Sequence, residues 1–372
     1  MKKIDIAEIN KWYAANYEKG IEGRRLTLDQ IIPYLAGLDD PFEVIKIGES
    51  FQNRDIYKLS LGTGSKKILL WTQMHGNEST GTKAFFDMLQ LFMYPGSFKW
   101  LTDLILKECS IHCIPMLNPD GAHNYTRVNA QNIDLNRDVI DMKGKESIVL
   151  YNMLRQIDPA FCFNLHDQRT IFSVGSENKP ATLSFLAPSI DEERTVTAGR
   201  KETMRVIGAM NTLLQLHIPG NIGRYTDEFY PTATGDNFQK MGHNTILIES
   251  GHSKGDYQRK ESRKSTFFAI VEGLRYISSA DHKIDYKRYF EIPNNEKKYL
   301  DIIVKKIGLG KEKTDLGILF VEKIKDGEVT FIPSIDKLED LSGYNADKII
   351  DGSENVFDST NEVEKWVFER YN

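Results

Sequence analysis

Four short apolar runs constrain this chain more than any other feature: Lys66–Gln73, Ser110–Leu117, Ala160–Leu165 and His243–Ile248. Each has the length and composition of a strand whose two faces are both covered. Between them lie segments with helical spacing of apolar residues. In Ser79–Phe92 the apolar positions are Ala84, Phe85, Met88 and Leu91; Glu146–Gln156 and Ser262–Ile277 read as helices, and Ile190–Leu216 contains a long one. Buried strands alternating with amphipathic helices predict an α/β fold: a mixed, mostly parallel twisted sheet with helices on both faces. Two more strands, Phe42–Ile47 and Asp55–Leu61, precede the series, separated by the polar turn Gly48–Arg54. Ile4–Leu38 reads as helical, Asn118-Pro119-Asp120-Gly121 as a turn, and Pro219–Gly235 as a loop.

The composition changes near residue 290. The polar stretch Glu291–Lys298 is followed by short strand-like runs, Gly317–Val321 and Glu328–Ile332, around a Lys-Asp-Gly turn. The expected division is a catalytic domain over 1–289, with a helical lead-in over 1–40, and a small β-rich C-terminal domain over 290–372.

At 372 residues and 40% apolar content the chain can bury a sizeable core, and a net charge of −5 gives no global attraction to nucleic acid or acidic membranes. No apolar run approaches the length of a membrane span. The amino-terminal residues lack the apolar centre of a secretory signal, so a cytoplasmic protein is expected. Cys109, Cys113 and Cys162 all lie within apolar runs and read as buried thiols rather than a disulfide framework.

The apolar runs matter chemically because of what ends them. His75 and Glu78 follow the first, three residues apart, and can close on one metal ion. His166 ends the third, and Glu249 the fourth. In open α/β sheets ligands gather at the carboxyl ends of strands, so these residues are expected to meet. A hydrolytic zinc needs about three protein ligands and an open position, which His75, Glu78 and His166 supply. Glu249, at the end of a buried strand, is a candidate general base. Arg127, and the pair Asn136 and Arg137, are candidate anion-binding groups, able to grip a carboxylate or hold an oxyanion. His252 reads as part of the local loop chemistry.

Taken in order, His75-Gly76-Asn77-Glu78, Asn118-Pro119-Asp120-Gly121, Arg127, Asp134-Leu135-Asn136-Arg137, His166 and Glu249 resemble the zinc metallocarboxypeptidases of the carboxypeptidase A type, over roughly residues 40 to 280. The upstream Gly48–Arg54 also looks like that family's entry segment. The resemblance implies one zinc per site, held by His75, Glu78 and His166, and Glu249 as the base that later passes its proton to the leaving amine. It implies that Arg127 holds the oxyanion, that Asn136 and Arg137 hold the substrate's terminal carboxylate, and that Asp134 accepts a hydrogen bond from His75. The substrate-capping tyrosine is matched to Tyr230, with Tyr225 as runner-up. Asn77 stands where digestive members carry arginine, and the loop from Arg127 to Asn136 is short. Both features look more like bacterial or cytosolic relatives. Gly235 brings no charge to the family's specificity segment.

The implied substrate is a peptide, or an acylated amino acid, with a free carboxylate; no nucleic acid or membrane partner is expected. The leading expectation is release of a C-terminal residue. An N-acyl-amino-acid deacylase of the aspartoacylase and succinylglutamate desuccinylase type shares two of the motifs. A non-catalytic carboxylate-binding member is the third reading, and the presence of Glu249 argues against it.

Overall fold

The four apolar runs form the middle of an eight-stranded sheet in a computed structural model of the chain. Residues 2–279 and 284–371 are described. The strands are β1 (Glu43–Glu49), β2 (Asp55–Leu61), β3 (Lys66–Trp71), β4 (Cys109–Ile114), β5 (Phe161–Asp167), β6 (Ser173–Val174), β7 (Lys179–Pro180), β8 (Leu183–Leu186), β9 (Ile222–Arg224) and β10 (Asn244–Ser250). β6 and β7 form a separate two-stranded pair, with Ser173 also bridging Glu296; the others assemble in the order β1-β2-β4-β3-β5-β10-β8-β9. The inner pairs β4–β3, β3–β5 and β5–β10 are parallel, while β1–β2, β2–β4 and β10–β8 are antiparallel. The sheet is thus mixed with a parallel centre, as expected.

Alternation along β3 shows why both faces are covered. Ile68 and Leu70 enter one apolar core, and Leu69 and Trp71 enter the other. All four are fully buried, and each such side chain contributes roughly 1.5–3 kcal/mol of transfer free energy. The helices are α1 (Ile6–Asn16), α2 (Leu28–Ala36), α3 (Thr80–Met93), α4 (Lys99–Glu108), α5 (Pro119–Asn124), α6 (Lys145–Ile157), α7 (Ala198–Leu214), α8 (Thr234–Lys240), α9 (Lys260–Ser278) and α10 (Thr360–Tyr371). α1, α2, α3, α4, α7 and α9 bury residues in the larger core; α6 and α8 cover the other face through Leu150, Leu154 and Phe238.

Some local expectations change. Ile4–Leu38 is two helices rather than one, because Asp5 and Thr27 each start a separate one. α4 lies in a segment for which no element was expected. Asn118–Gly121 opens a helix instead of forming a bare turn: the Asn118 side chain accepts from the Gly121 N–H at 2.8 Å, and Pro119 occupies the first turn. The 219–235 segment includes β9 and the start of α8.

Residues beyond 290 build a second sheet from β11 (Tyr299–Leu309), β12 (Glu312–Lys325), β13 (Glu328–Glu339), β14 (Asn345–Asp351) and β15 (Val356–Phe357). Its order is β13-β12-β11-β14, with β15 beside β11. β12 and β13 extend well past the two expected runs, to 14 and 12 residues. Their turn needs left-handed backbone, which Asp326 (φ 52°) and Gly327 (φ 85°) supply. α10 packs on this sheet through Val363 and Val367. Among the described residues no helix is long and apolar enough to cross a membrane.

Candidate active site

The parallel strands carry their terminal residues to one edge of the sheet. β5 and β10 run side by side with His166 opposite Glu249. β3 lies on the other side of β5, and the segment after it brings in His75 and Glu78. Two glycines make that turn possible. A Cβ on Gly76 would lie 1.9 Å from the carbonyl carbon of Gly121, so the backbones after β3 and β4 touch where only glycine fits. Asp120 then ties in the turn after β1, accepting from Ser50 Oγ at 2.8 Å and Gln52 N at 2.9 Å.

His75, Glu78 and His166 form one buried cluster whose ligand atoms all lie within 4.8 Å of one another. His75 Nδ1 is 2.8 Å from Glu78 Oε1, His166 Nδ1 is 2.8 Å from Glu78 Oε2, and the two Nδ1 atoms are 3.0 Å apart. His75 Nε2 lies 2.9 Å from Asp134 Oδ1, so its N–H donates there and the Nδ1 lone pair faces the cluster. Burial opposes ionisation of Glu78, yet the two imidazoles outweigh it and hold the carboxyl well below its usual range. Burial pushes the His166 pKa down. For His75 burial acts the same way, but Glu78 and Asp134 prevail and its pKa is raised. Two nitrogen lone pairs and a carboxylate converging in a buried space suit a divalent cation. The donor set is one that zinc takes.

Glu249 borders this cluster. Burial first, then the charges of Glu78 and Asp167, raise its pKa well above the ordinary carboxyl value; Arg127 and Arg259 oppose the shift. Arg127 is about half exposed (47%) and reaches inward, donating through Nη1 to Glu78 Oε1 at 3.2 Å and through Nε to Asp134 Oδ2 at 3.1 Å. Asp134 also accepts from the Asn136 backbone N–H at 2.9 Å, so one carboxylate orients His75 and starts the turn bearing Asn136 and Arg137. Asn136 Oδ1 accepts from Thr234 N at 3.3 Å. The exposed Arg137 guanidinium lies 4.4 Å from the Tyr230 ring centre. Tyr230 is held in turn by Asp236, which accepts from its N–H at 3.0 Å and is itself pushed up to about 6 by burial.

Tyr225 sits elsewhere. Its ring packs edge-on against Phe172 at 5.1 Å, and its phenol is pushed up by burial and then by Glu249 and Glu78. Tyr230 therefore stands with the arginine turn and Tyr225 with the base. His252 does more than local loop chemistry, since its Nε2 lies 3.0 Å from both oxygens of Asp347, on the second sheet. The sequence reasoning missed four residues next to the cluster: Arg24, Asp167, Arg259 and Glu322. Asp167 follows His166 directly and could have been flagged; the other three become neighbours only through the fold.

The family model for Peptidase_M14, zinc carboxypeptidase, matches residues 35–161, which include His75, Glu78, Arg127 and Asp134–Arg137. Over that segment the chain is similar to the zinc carboxypeptidases. Carboxypeptidase 2 of Trichophyton rubrum is 28% identical to it over 105 residues, 28% of this chain and 19% of that protein. Carboxypeptidase 2 of Trichophyton tonsurans is 29% identical over 105 residues. The matched region thus spans about a fifth of these curated relatives (19%). Among solved structures, a metallo-carboxypeptidase from Burkholderia cenocepacia superposes with a TM-score of 0.52 at 15% identity, covering 68% of this chain and 69% of that one. The carboxypeptidase A from Helicoverpa armigera gives 0.53 at 16% identity, covering 75% and 83%. These likenesses show a carboxypeptidase-like fold over more of the chain than the matched segment.

Proposed function

We propose that this chain binds one zinc ion through His75, Glu78 and His166 and hydrolyses the C-terminal peptide bond of a substrate with a free carboxylate. The observation that carries the reading is the convergence of these three side chains, with Glu249 beside His166 in strand register. Zinc bound there would polarise the scissile carbonyl and acidify a water. Glu249 takes a proton from the attacking water and returns it to the departing amine, so the C–N bond breaks as water adds across it. Arg127 points its guanidinium toward the charge that develops on the carbonyl oxygen. Asn136 and Arg137 grip the terminal carboxylate, and Tyr230 stacks on that grip.

The clamp gives the test. Matched peptides with free and amidated C-termini are incubated with the zinc-loaded protein, and release of the last residue is followed. Cleavage of the free form alone supports the reading; equal cleavage of both ends it. N-acetylated amino acids in the same series test the deacylase alternative, and turnover confined to them would replace a peptide substrate with an acyl one.

A further inference from the structure

The terminal-carboxylate clamp lies on one side of the metal cluster. A separate cavity of about 470 Å³ is bordered by Glu78 and Arg127 and by none of Asn136, Arg137 or Tyr230. A substrate with its carboxylate in the clamp and its scissile carbonyl at the cluster directs the remainder, its acyl side, into this cavity. The cavity's far wall belongs to the second sheet: Leu319, Phe320, Val321 and Glu322 of β12. That wall is fastened in place. Glu322 Oε1 is 2.5 Å from Arg24 Nη2, its Oε2 accepts from the Tyr125 hydroxyl, and Phe320 packs on Tyr257 at 5.4 Å.

The polar lining has unused bonding capacity. Arg24 is 4% exposed, yet its Nε and Nη1 have no hydrogen-bond partner. Asp167, whose Oδ2 is 3.7 Å from Arg24 Nη1 and 3.8 Å from Arg259 Nη1, likewise has an unpartnered Oδ1. Arg259 is committed to the backbone, donating to the carbonyls of Ser250 and Gln168. Arg169 lines the same cavity with an exposed side chain and, among the described residues, no ion pair of 4 Å or less. Setting aside Glu78 and Arg127, three guanidinium groups (Arg24, Arg169, Arg259) face two carboxylates (Asp167, Glu322), which leaves one positive charge uncompensated. Buried donors of this kind call for an anion, and a planar guanidinium suits a carboxylate.

We propose that this cavity is the acyl-side subsite, completed by the C-terminal sheet, and that it takes a short acyl segment bearing an acidic residue. The acid's carboxylate pairs with Arg24 and Arg169, and its amine or amide N–H meets Asp167 Oδ1. The volume is in the range of a small-ligand site rather than a groove for a long chain. The inference rests on the carboxypeptidase reading, because the clamp sets the direction in which the substrate lies.

The test uses peptides sharing one C-terminal residue, preceded by Glu, Gln or Lys, each made as a dipeptide and with six further residues at the amino end. The zinc-loaded full chain is expected to favour Glu over Gln by about tenfold in kcat/KM and over Lys by more, and to lose at least tenfold on the extended set. Arg169→Glu should invert the Glu-to-Lys preference while zinc content stays the same. Rates independent of charge, or unimpaired cleavage of the extended peptides, overturn the subsite and leave the carboxypeptidase reading standing. No release of the C-terminal residue from any peptide overturns that reading, and the subsite with it.

Discussion

Two clusters in this chain combine histidine with carboxylates, and they are built to opposite ends. His75 and His166 turn their Nδ1 atoms toward each other at 3.0 Å, each 2.8 Å from a Glu78 oxygen. His252, Asp301 and Asp347 are also close enough to share an ion, but their acceptor positions are largely filled. Asp347 takes the His252 nitrogen, the Tyr299 hydroxyl at 2.8 Å and the Gly255 N–H at 2.8 Å, and Asp301 takes the Phe320 N–H at 2.6 Å. The first cluster gathers a donor set that a divalent cation would join. The second satisfies most of its own atoms, with Asp301 Oδ1 left over, and joins two sheets, with His252 just after β10, Asp301 on β11 and Asp347 on β14. Residue type and proximity are thus shared, and the convergence of two imidazole nitrogens on one carboxylate separates a ligand site from a joint.

Metal content breaks or sustains this comparison most directly. One zinc per chain is expected by elemental analysis; His166→Ala should carry none and fall to background activity, and His252→Ala should keep its zinc. A stoichiometry of two, reduced to one by His252→Ala, would make the second cluster a metal site after all. Next in size is Glu249→Gln. It should keep the metal and lose roughly 10²–10⁴ in kcat, the usual contribution of a positioned acid–base group. Full activity in that variant would mean another group moves the proton.

Much of this contrast was legible in the sequence, and the illegible part has a physical reason. His75, Glu78, His166 and Glu249 stand at the ends of apolar runs, and a parallel sheet has to bring such ends together. Asp134 and Arg127 were placed through a motif rather than through periodicity, and the structure adds why they cooperate: both touch Glu78 or His75. Long-range pairing carried no such signal. Nothing local marks Arg24, in an irregular stretch between two helices, as the partner of Glu322, 298 residues away. His252 and Asp347 are 95 residues apart on different sheets, so His252 looked like a loop residue. Gly76 and Gly121 were visible as motif glycines, but their mutual contact is a property of the folded backbone.

The clamp tests how far the first cluster's role extends. Arg137→Ala removes a charge-assisted grip that is exposed before substrate binds, and its Tyr230 stacking partner stays in place. The loss should appear mainly in KM for peptides with a free terminus, with a cost of roughly 2–5 kcal/mol in kcat/KM. Tyr225→Phe should leave KM nearly unchanged, since that ring packs on Phe172 while Arg137 stacks on Tyr230. A rise in KM for Tyr225→Phe equal to that for Tyr230→Phe would show that the two tyrosines had been assigned to the wrong ends of the cleft.

The joint predicts a smaller effect, on stability rather than turnover. Burial tends to raise the Asp347 pKa, but the hydrogen bond and charge of His252 outweigh it, and the folded-state value lies below the ordinary 3.8. A carboxyl depressed on folding adds stability that is fully present above its unfolded pKa and is lost as the pH falls through the folded value. Asp347→Asn should therefore destabilise the chain at neutral pH, by about 3 kcal/mol if the variant behaves like other broken buried pairs. The gap between variant and parent should be constant from neutrality down to about pH 5 and close only in stronger acid. Denaturant unfolding at a series of pH values reads this directly, and the zinc content of the folded variant at neutral pH should stay at one. A gap that instead closed near neutrality would show that the depressed Asp347 carboxyl is not what holds the joint.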